Sequence, residues 1–231
     1  MIHMKKAIIL FEFFFILSFL ILPPIFVAQQ DTASINKPFI SIIPLAFSIL
    51  LYCQKKADDS ISKIDKKNSN SITKITNIGQ TSFCFGLLCI TAAVFEFLGI
   101  IFKIDATPQE LSIKGHFLKI LILFINIVIP AFYEEILYRQ YFPDILKKFS
   151  NNRSLQEHKK IQKITNYLSE AVPLLCFALG HRYLGILGVA NAFVSGIFLR
   201  RCLIKTGSVW YSFTAHCLYN IGAFVLYSIL K

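Results

Sequence analysis

Apolar residues run along this chain in long blocks rather than at a 3.6- or 2.0-residue period. A helix needs about 20 mostly apolar residues to cross a bilayer. Candidate blocks fall at 7–28, 39–53, 83–102, 117–142, 171–187, 188–199 and 208–230. Only a glycine-rich stretch (Gly180, Gly185, Gly188) parts the fifth from the sixth, which predicts broken or tilted helices there. The segment 54–80 is rich in Lys, Asp, Asn and Ser and reads as a loop with little structure of its own. The pattern predicts an all-α, polytopic transmembrane bundle of about seven spans, or eight if one block divides. The first block follows Lys5 and Lys6 as a signal peptide would. It outruns the usual h-region, however, and lacks a small-x-small cleavage site near Ala28, so a retained anchor is expected.

Composition strengthens this reading. Of 231 residues, 55% are apolar and 16% charged, against about 45–50% and about 25% in soluble domains. A disordered chain, a collagen-like chain and a disulfide-stapled secreted domain are excluded. The net charge of +11 would suggest nucleic acid in a soluble protein, but here the basic residues sit in short loops between apolar blocks, and no nucleic-acid partner is expected. Cys53, Cys84, Cys89, Cys176, Cys202 and Cys217 form no C-x-x-C pair and read as small buried hydrophobes.

The basic residues also predict a threading. With the N-terminus cytoplasmic, Lys5 and Lys6, six residues in 54–80, six in 143–170 and three in 200–207 lie on the inner side. Lys37, Lys103, Lys114, Arg182 and Lys231 lie on the outer side. The asymmetry is seventeen to five, with Lys119 and Arg139 inside spans.

Four carboxylates fall inside apolar blocks: Glu12, Glu96, Glu134 and Glu135. An ionisable group at membrane depth costs about 2.5–3.5 kcal/mol on insertion scales and is a functional candidate by default. The lone Glu12 and Glu96 read as neutral groups hydrogen-bonded to a neighbouring helix. Adjacent Glu134 and Glu135 repel each other, so one is neutral or a cation holds both. Arg139, four residues after Glu135, is the internal partner that spacing offers.

The fifth block carries His181, and the last carries Ser208, Trp210, Ser212, His216 and Asn220. Ser212, His216 and Asn220 at i, i+4 and i+8 make one polar stripe on an apolar helix. Counted at 1.5 Å per residue from the cytoplasmic ends, Glu134 and His216 lie roughly 12 Å deep, His181 roughly 15 Å and Asn220 roughly 18 Å. Three distant segments thus converge on one layer. A glutamate with two histidines suits water activation, and an Asn amide one turn beyond a His can donate to a developing oxyanion. No G-x-S-x-G, H-E-x-x-H or catalytic Asp pair is present. Cys217 beside His216 and Cys176 near His181 face away from them on a helix, which argues against a Cys nucleophile.

Three short motifs follow in order: Glu134-Glu135-Ile-Leu-Tyr-Arg139 as E-E-x-x-x-R, Phe177 to His181 as F-x-x-x-H, and His216 to Asn220 as H-x-x-x-N. Over about residues 117–230 the chain resembles the CPBP intramembrane proteases, the type II CAAX prenyl protease and bacteriocin-processing family. The resemblance implies a helical core (117–231) whose motif residues line a cavity open to the cytoplasm, with 1–116 as anchoring helices without a recognised motif. It implies that Glu134 activates water with His181, and that His216 and Asn220 hold the oxyanion or water. Glu135, Arg139, Phe177 and Ser212 would support them. The family is described both as metal-dependent and as glutamate-driven. A metal reading would give Glu134, His181 and His216 to Zn²⁺, although Asn is an uncommon zinc ligand.

Bias toward Lys, Ile, Phe and Asn points to an AT-rich, bacterial genome and to the inner membrane, where prenylated substrates are not expected. The expected partners are the lipid bilayer and a peptide or membrane-protein substrate. Two rival readings stand beside the protease. One is a non-catalytic immunity or scaffold protein of the same fold, and the other is a small proton- or cation-coupled transporter.

Overall fold

The computed structural model describes residues 10–26, 38–62, 71–104, 117–150 and 159–230. Lys5, Lys6, Lys37 and Lys114, and the segments 63–70 and 151–158 of the two basic loops, lie outside the described residues. Among the described residues all regular structure is helical, in seven rods. These are α1 (Leu10–Phe26), α2 (Pro38–Ser62), α3 (Ser71–Phe102), a rod running from α4 (Phe117–Glu134) into α5 (Phe142–Ser150), then α6 (Lys159–Gly180), α7 (Gly185–Thr206) and α8 (Val209–Leu230).

Several rods outrun the apolar blocks. Residues 54–62 continue α2 and 71–80 open α3, so much of the expected loop is helical. Likewise α6 begins in the polar run at Lys159, and α7 continues to Thr206. Hydropathy marks where a helix meets lipid, whereas the backbone ladder continues wherever no residue breaks it. The break after the fifth block comes at a 3₁₀ turn, Arg182–Leu184, rather than at 187–188. Gly185 leaves that turn at φ 76°, a conformation free of steric cost only without a Cβ. His181 therefore caps this turn instead of sitting within a helix.

The rod α4–α5 is not α-helical throughout: Glu135–Tyr141 is a π-helix in which the Phe142 N–H donates to the Leu137 carbonyl. Pro143 explains the position. Its ring collides with the carbonyl four residues back and it supplies no N–H, so the turn before it widens. The same logic places the π-helical Leu17–Ile21 of α1 just before Pro23 and Pro24.

Helix α3 packs against α7 and α8, α6 against α5 and α7, α2 against α4, and α1 against α6. The π segment touches α2, α6, α7 and α8, and so sits at the centre of the bundle. Its Ile136, Leu137 and Tyr138 join Ile16, Ile21, Phe142, Phe177 and Val209 in the main apolar cluster. Trp210 donates Nε1–H to the Tyr52 hydroxyl at 2.8 Å and lies among Tyr52, Phe132 and Phe213.

The outside of the bundle is apolar, and a polar group lies enclosed within its apolar core. Phe11, Ile75, Phe97 and Ile100 are largely exposed, while Glu135, Arg139, Ser212 and His216 are buried. A soluble fold puts these residue types the other way round. Among the described residues two helices, Ile75–Phe102 and Arg182–Thr206, are long and apolar enough to cross a bilayer by length and composition. Glu96 is exposed on α3 and, among the described residues, bonds to no neighbouring helix, contrary to expectation. Glu12 is half-buried and faces the Tyr141 hydroxyl. Of the cysteines, Cys84, Cys202 and Cys217 are buried as expected and Cys176 partly so, but Cys53 and Cys89 lie on the outer surface. Small apolar side chains fit a lipid-facing surface as well as a core, so burial did not follow from their position in apolar blocks.

Candidate active site

The site is built where the end of α4 and the π segment face α6 and α8. Glu135 has no solvent exposure, and a carboxylate there must be paired. His216 on α8 lies with Nδ1 3.0 Å from Glu135 Oε1, and its Nε2 is 3.8 Å from Glu134 Oε2. One imidazole is thus set between the two adjacent carboxylates. The Nδ1–H donates to Glu135, which leaves Nε2 as the acceptor on the side of Glu134. Ser212, one turn earlier, lies against Glu135 but commits its proton to the Val209 carbonyl at 3.1 Å. Glu135 Oε2 remains without a hydrogen-bond partner among the described residues.

Arg139 reaches Glu135 through Nε alone, at 3.5 Å. The guanidinium face stacks on the Phe177 ring at 3.5 Å, a cation–π contact that strengthens when desolvated. Nη1 and Nη2 have no hydrogen-bond partner among the described residues, so the guanidinium does not clamp Glu135 at two points. Gly196 on α7 packs beside this group: a Cβ there would meet Arg139 Nη2 at an ordinary 3.5 Å but would stand 2.5 Å from Leu174 Cδ1, so the missing side chain makes room for Leu174.

Phe177 joins the parts. Its ring lies 6.5 Å from His216, 5.6 Å from Tyr138 and 4.5 Å from His181, measured between centroids. Its carbonyl meets His181 Nδ1 at 2.9 Å, which leaves the His181 Nε2 uncommitted. His181 stacks on Tyr183, itself within electrostatic reach of Glu134, but makes no ion pair with Glu134 among the described residues. Asn220 lies one turn beyond His216, partly buried and without a hydrogen bond among the described residues. Glu134, Glu135, Arg139, Phe177, Ser212 and His216 therefore meet, while His181 and Asn220 stand at the edge.

Zinc asks for three or more protein ligands at about 2.0–2.3 Å. Among the described residues no three His, Cys, Asp or Glu side chains are grouped to hold a metal ion. The Nδ1 atoms of both histidines are held, one by a carboxylate and one by a backbone carbonyl, so only Nε2 of each ring could reach a ligand. Glu134, His181 and His216 as placed do not fit a zinc site.

Three residues absent from the motifs, Arg200, Glu170 and Lys147, complete the surroundings. Arg200 on α7 donates Nε–H and an Nη2 hydrogen to the two oxygens of Glu170 at 2.7 and 2.8 Å, and Nη1–H to the Arg139 carbonyl. Lys147 also donates to Glu170. The sequence offered only their charge and their place beside apolar blocks, which topology alone accounted for.

Residues 116–222 match the family model described as Rce1-like, type II CAAX prenyl endopeptidase. That segment is similar to this family. The match spans α4 to α8 and every residue of the site, and so supports the CPBP resemblance drawn from the three motifs. No curated protein and no solved structure matches the chain.

Proposed function

We propose that this Rce1-like chain is an intramembrane endopeptidase of the cell membrane, cutting a peptide bond near the cytoplasmic face with a water molecule activated by Glu134. The observation that carries the reading is His216 held between two adjacent glutamates inside an apolar bundle. Glu135, fully buried, fixes the ring and keeps the proton on Nδ1. A water in reach of Glu134 Oε2 and His216 Nε2 gives its proton to Glu134 as its oxygen attacks the peptide carbonyl. The Asn220 amide meets the oxyanion, a donor that needs little reorganisation as charge develops, while His181, whose Nδ1–H donates to the Phe177 carbonyl, presents Nε2 as an acceptor toward the water. Glu134 then returns the proton to the leaving amine. The substrate is an extended, membrane-anchored peptide segment.

The test is terminal-peptide mass spectrometry on membranes carrying wild type or an inserted Glu134→Ala protein. New termini present with wild type and missing with the variant support the endopeptidase. Identical termini together with a retained phenotype would instead leave a scaffold, and proton flux into liposomes would leave a transporter.

A further inference from the structure

An α-helical carbonyl at Arg139 would accept from the N–H of residue 143, but residue 143 is Pro and has none. A carbonyl left open this way at the centre of an apolar bundle is costly. Arg200 of α7 fills the vacancy with Nη1–H, and the rest of its head is held in a two-point bond by Glu170 of α6. The side chain is 17% exposed, so the arrangement is substantially desolvated. The carbonyl it holds belongs to the residue whose own side chain reaches Glu135 and stacks on Phe177.

We infer that Arg200 is a positioning residue. It substitutes for the donor that Pro143 removes, locks the widened π turn, and through the Arg139 backbone sets where Glu135 holds His216. Glu170 orients Arg200 and ties α6 to α7, but only the Arg139 carbonyl bond bears on the site. This inference rests on the endopeptidase reading for its kinetic consequence and not for its structural one.

The two contacts can be told apart. Glu170→Gln removes the charge but keeps an amide oxygen for Arg200, so the Arg139 carbonyl stays capped. Arg200→Gln removes both bonds. The readout independent of turnover is the imidazole ¹⁵N spectrum of His216 in the full-length, histidine-labelled protein in micelles, assigned with His216→Gln. Arg200→Gln is expected to shift the Nδ1 signal of His216, while Glu170→Gln leaves it at the wild-type position and only lowers Tm. If Arg200→Gln does not fold, Arg200→Lys, which keeps the charge but not the planar fork, is read the same way. His216 signals that stay put in the Arg200 variant, or move equally in both variants, would overturn the inference and leave Arg200 a structural clamp. If wild type turns over the segment found by terminal profiling, Arg200→Gln should lower kcat on the order of 10²-fold with little change in KM, the cost of a small misplacement. Absence of wild-type turnover would count against the endopeptidase, and the His216 spectrum would still decide the role of Arg200.

Discussion

At Glu135 a fully buried carboxylate is shared by an imidazole at 3.0 Å and a guanidinium nitrogen at 3.5 Å. Removing one partner of such a pair typically costs about 3–5 kcal/mol, because the other charge is left unpaired in a low dielectric. Arg139→Gln should therefore reduce the yield and detergent Tm of the folded protein, and Glu135→Gln with Arg139→Gln should recover yield better than Arg139→Gln alone. Arg139→Lys should lower both stability and cleavage, since an ammonium cannot reproduce the flat stack on Phe177. An Arg139→Gln protein as stable as wild type but inactive would move Arg139 from pairing with Glu135 to contact with substrate. Asn220→Ala should cost about 10²–10³ in kcat if its amide supplies one oxyanion donor, measured on the same peptide as wild type. At this scale the E-E-x-x-x-R spacing announced the Glu135–Arg139 contact, since i and i+4 share a face. It did not announce that Glu135 lies nearer to His216 than Glu134 does, because face-sharing says nothing of which rotamer meets a side chain on another helix.

The π segment and the ends of α6 and α7 carry the next set of consequences. Pro143 was visible in the sequence, and with it the loss of one helical donor, but the donor that replaces it comes from 61 residues away. No local pattern encodes that distance. Glu170 is the titrating member of the Arg200 cluster. Burial alone would raise its carboxyl, but hydrogen bonds and charge from Arg200 and Lys147 outweigh burial and hold it at about 2, below the ordinary 4.5. A carboxyl lowered on folding adds stability that is complete above the ordinary value and lost as pH falls through the folded one. The Tm of wild type should thus decline between about pH 4.5 and pH 2, and that decline should flatten in Glu170→Gln. Equal slopes in the two proteins would show that the cluster contributes nothing to acid stability.

Across the whole molecule, long apolar blocks made the bundle legible, because lipid leaves the backbone no partner but itself and so demands long helices. Seven blocks correspond to seven rods among the described residues, with errors confined to polar ends and to the turn at Arg182–Leu184. The convergence of Glu134, Glu135, Phe177 and His216 was legible for the same reason, since helices entering one layer to similar depth must meet. The threading makes its own prediction: cysteines introduced in 54–80 or 143–170, with the native six removed, should resist a membrane-impermeant thiol reagent in intact cells. Labelling of both loops from outside would reverse the bundle. In the proposed function Glu134, steered by His216 and Glu135, drives hydrolysis of a peptide bond. Its most direct measurement is cleavage of the profiled membrane segment by purified protein in liposomes, comparing wild type with inserted, folded Glu134→Ala, Glu135→Ala and His216→Ala. The account predicts one new terminus with wild type and none with any of the three, with losses that do not add because the residues act as a unit. A fully active Glu134→Ala protein would contradict it.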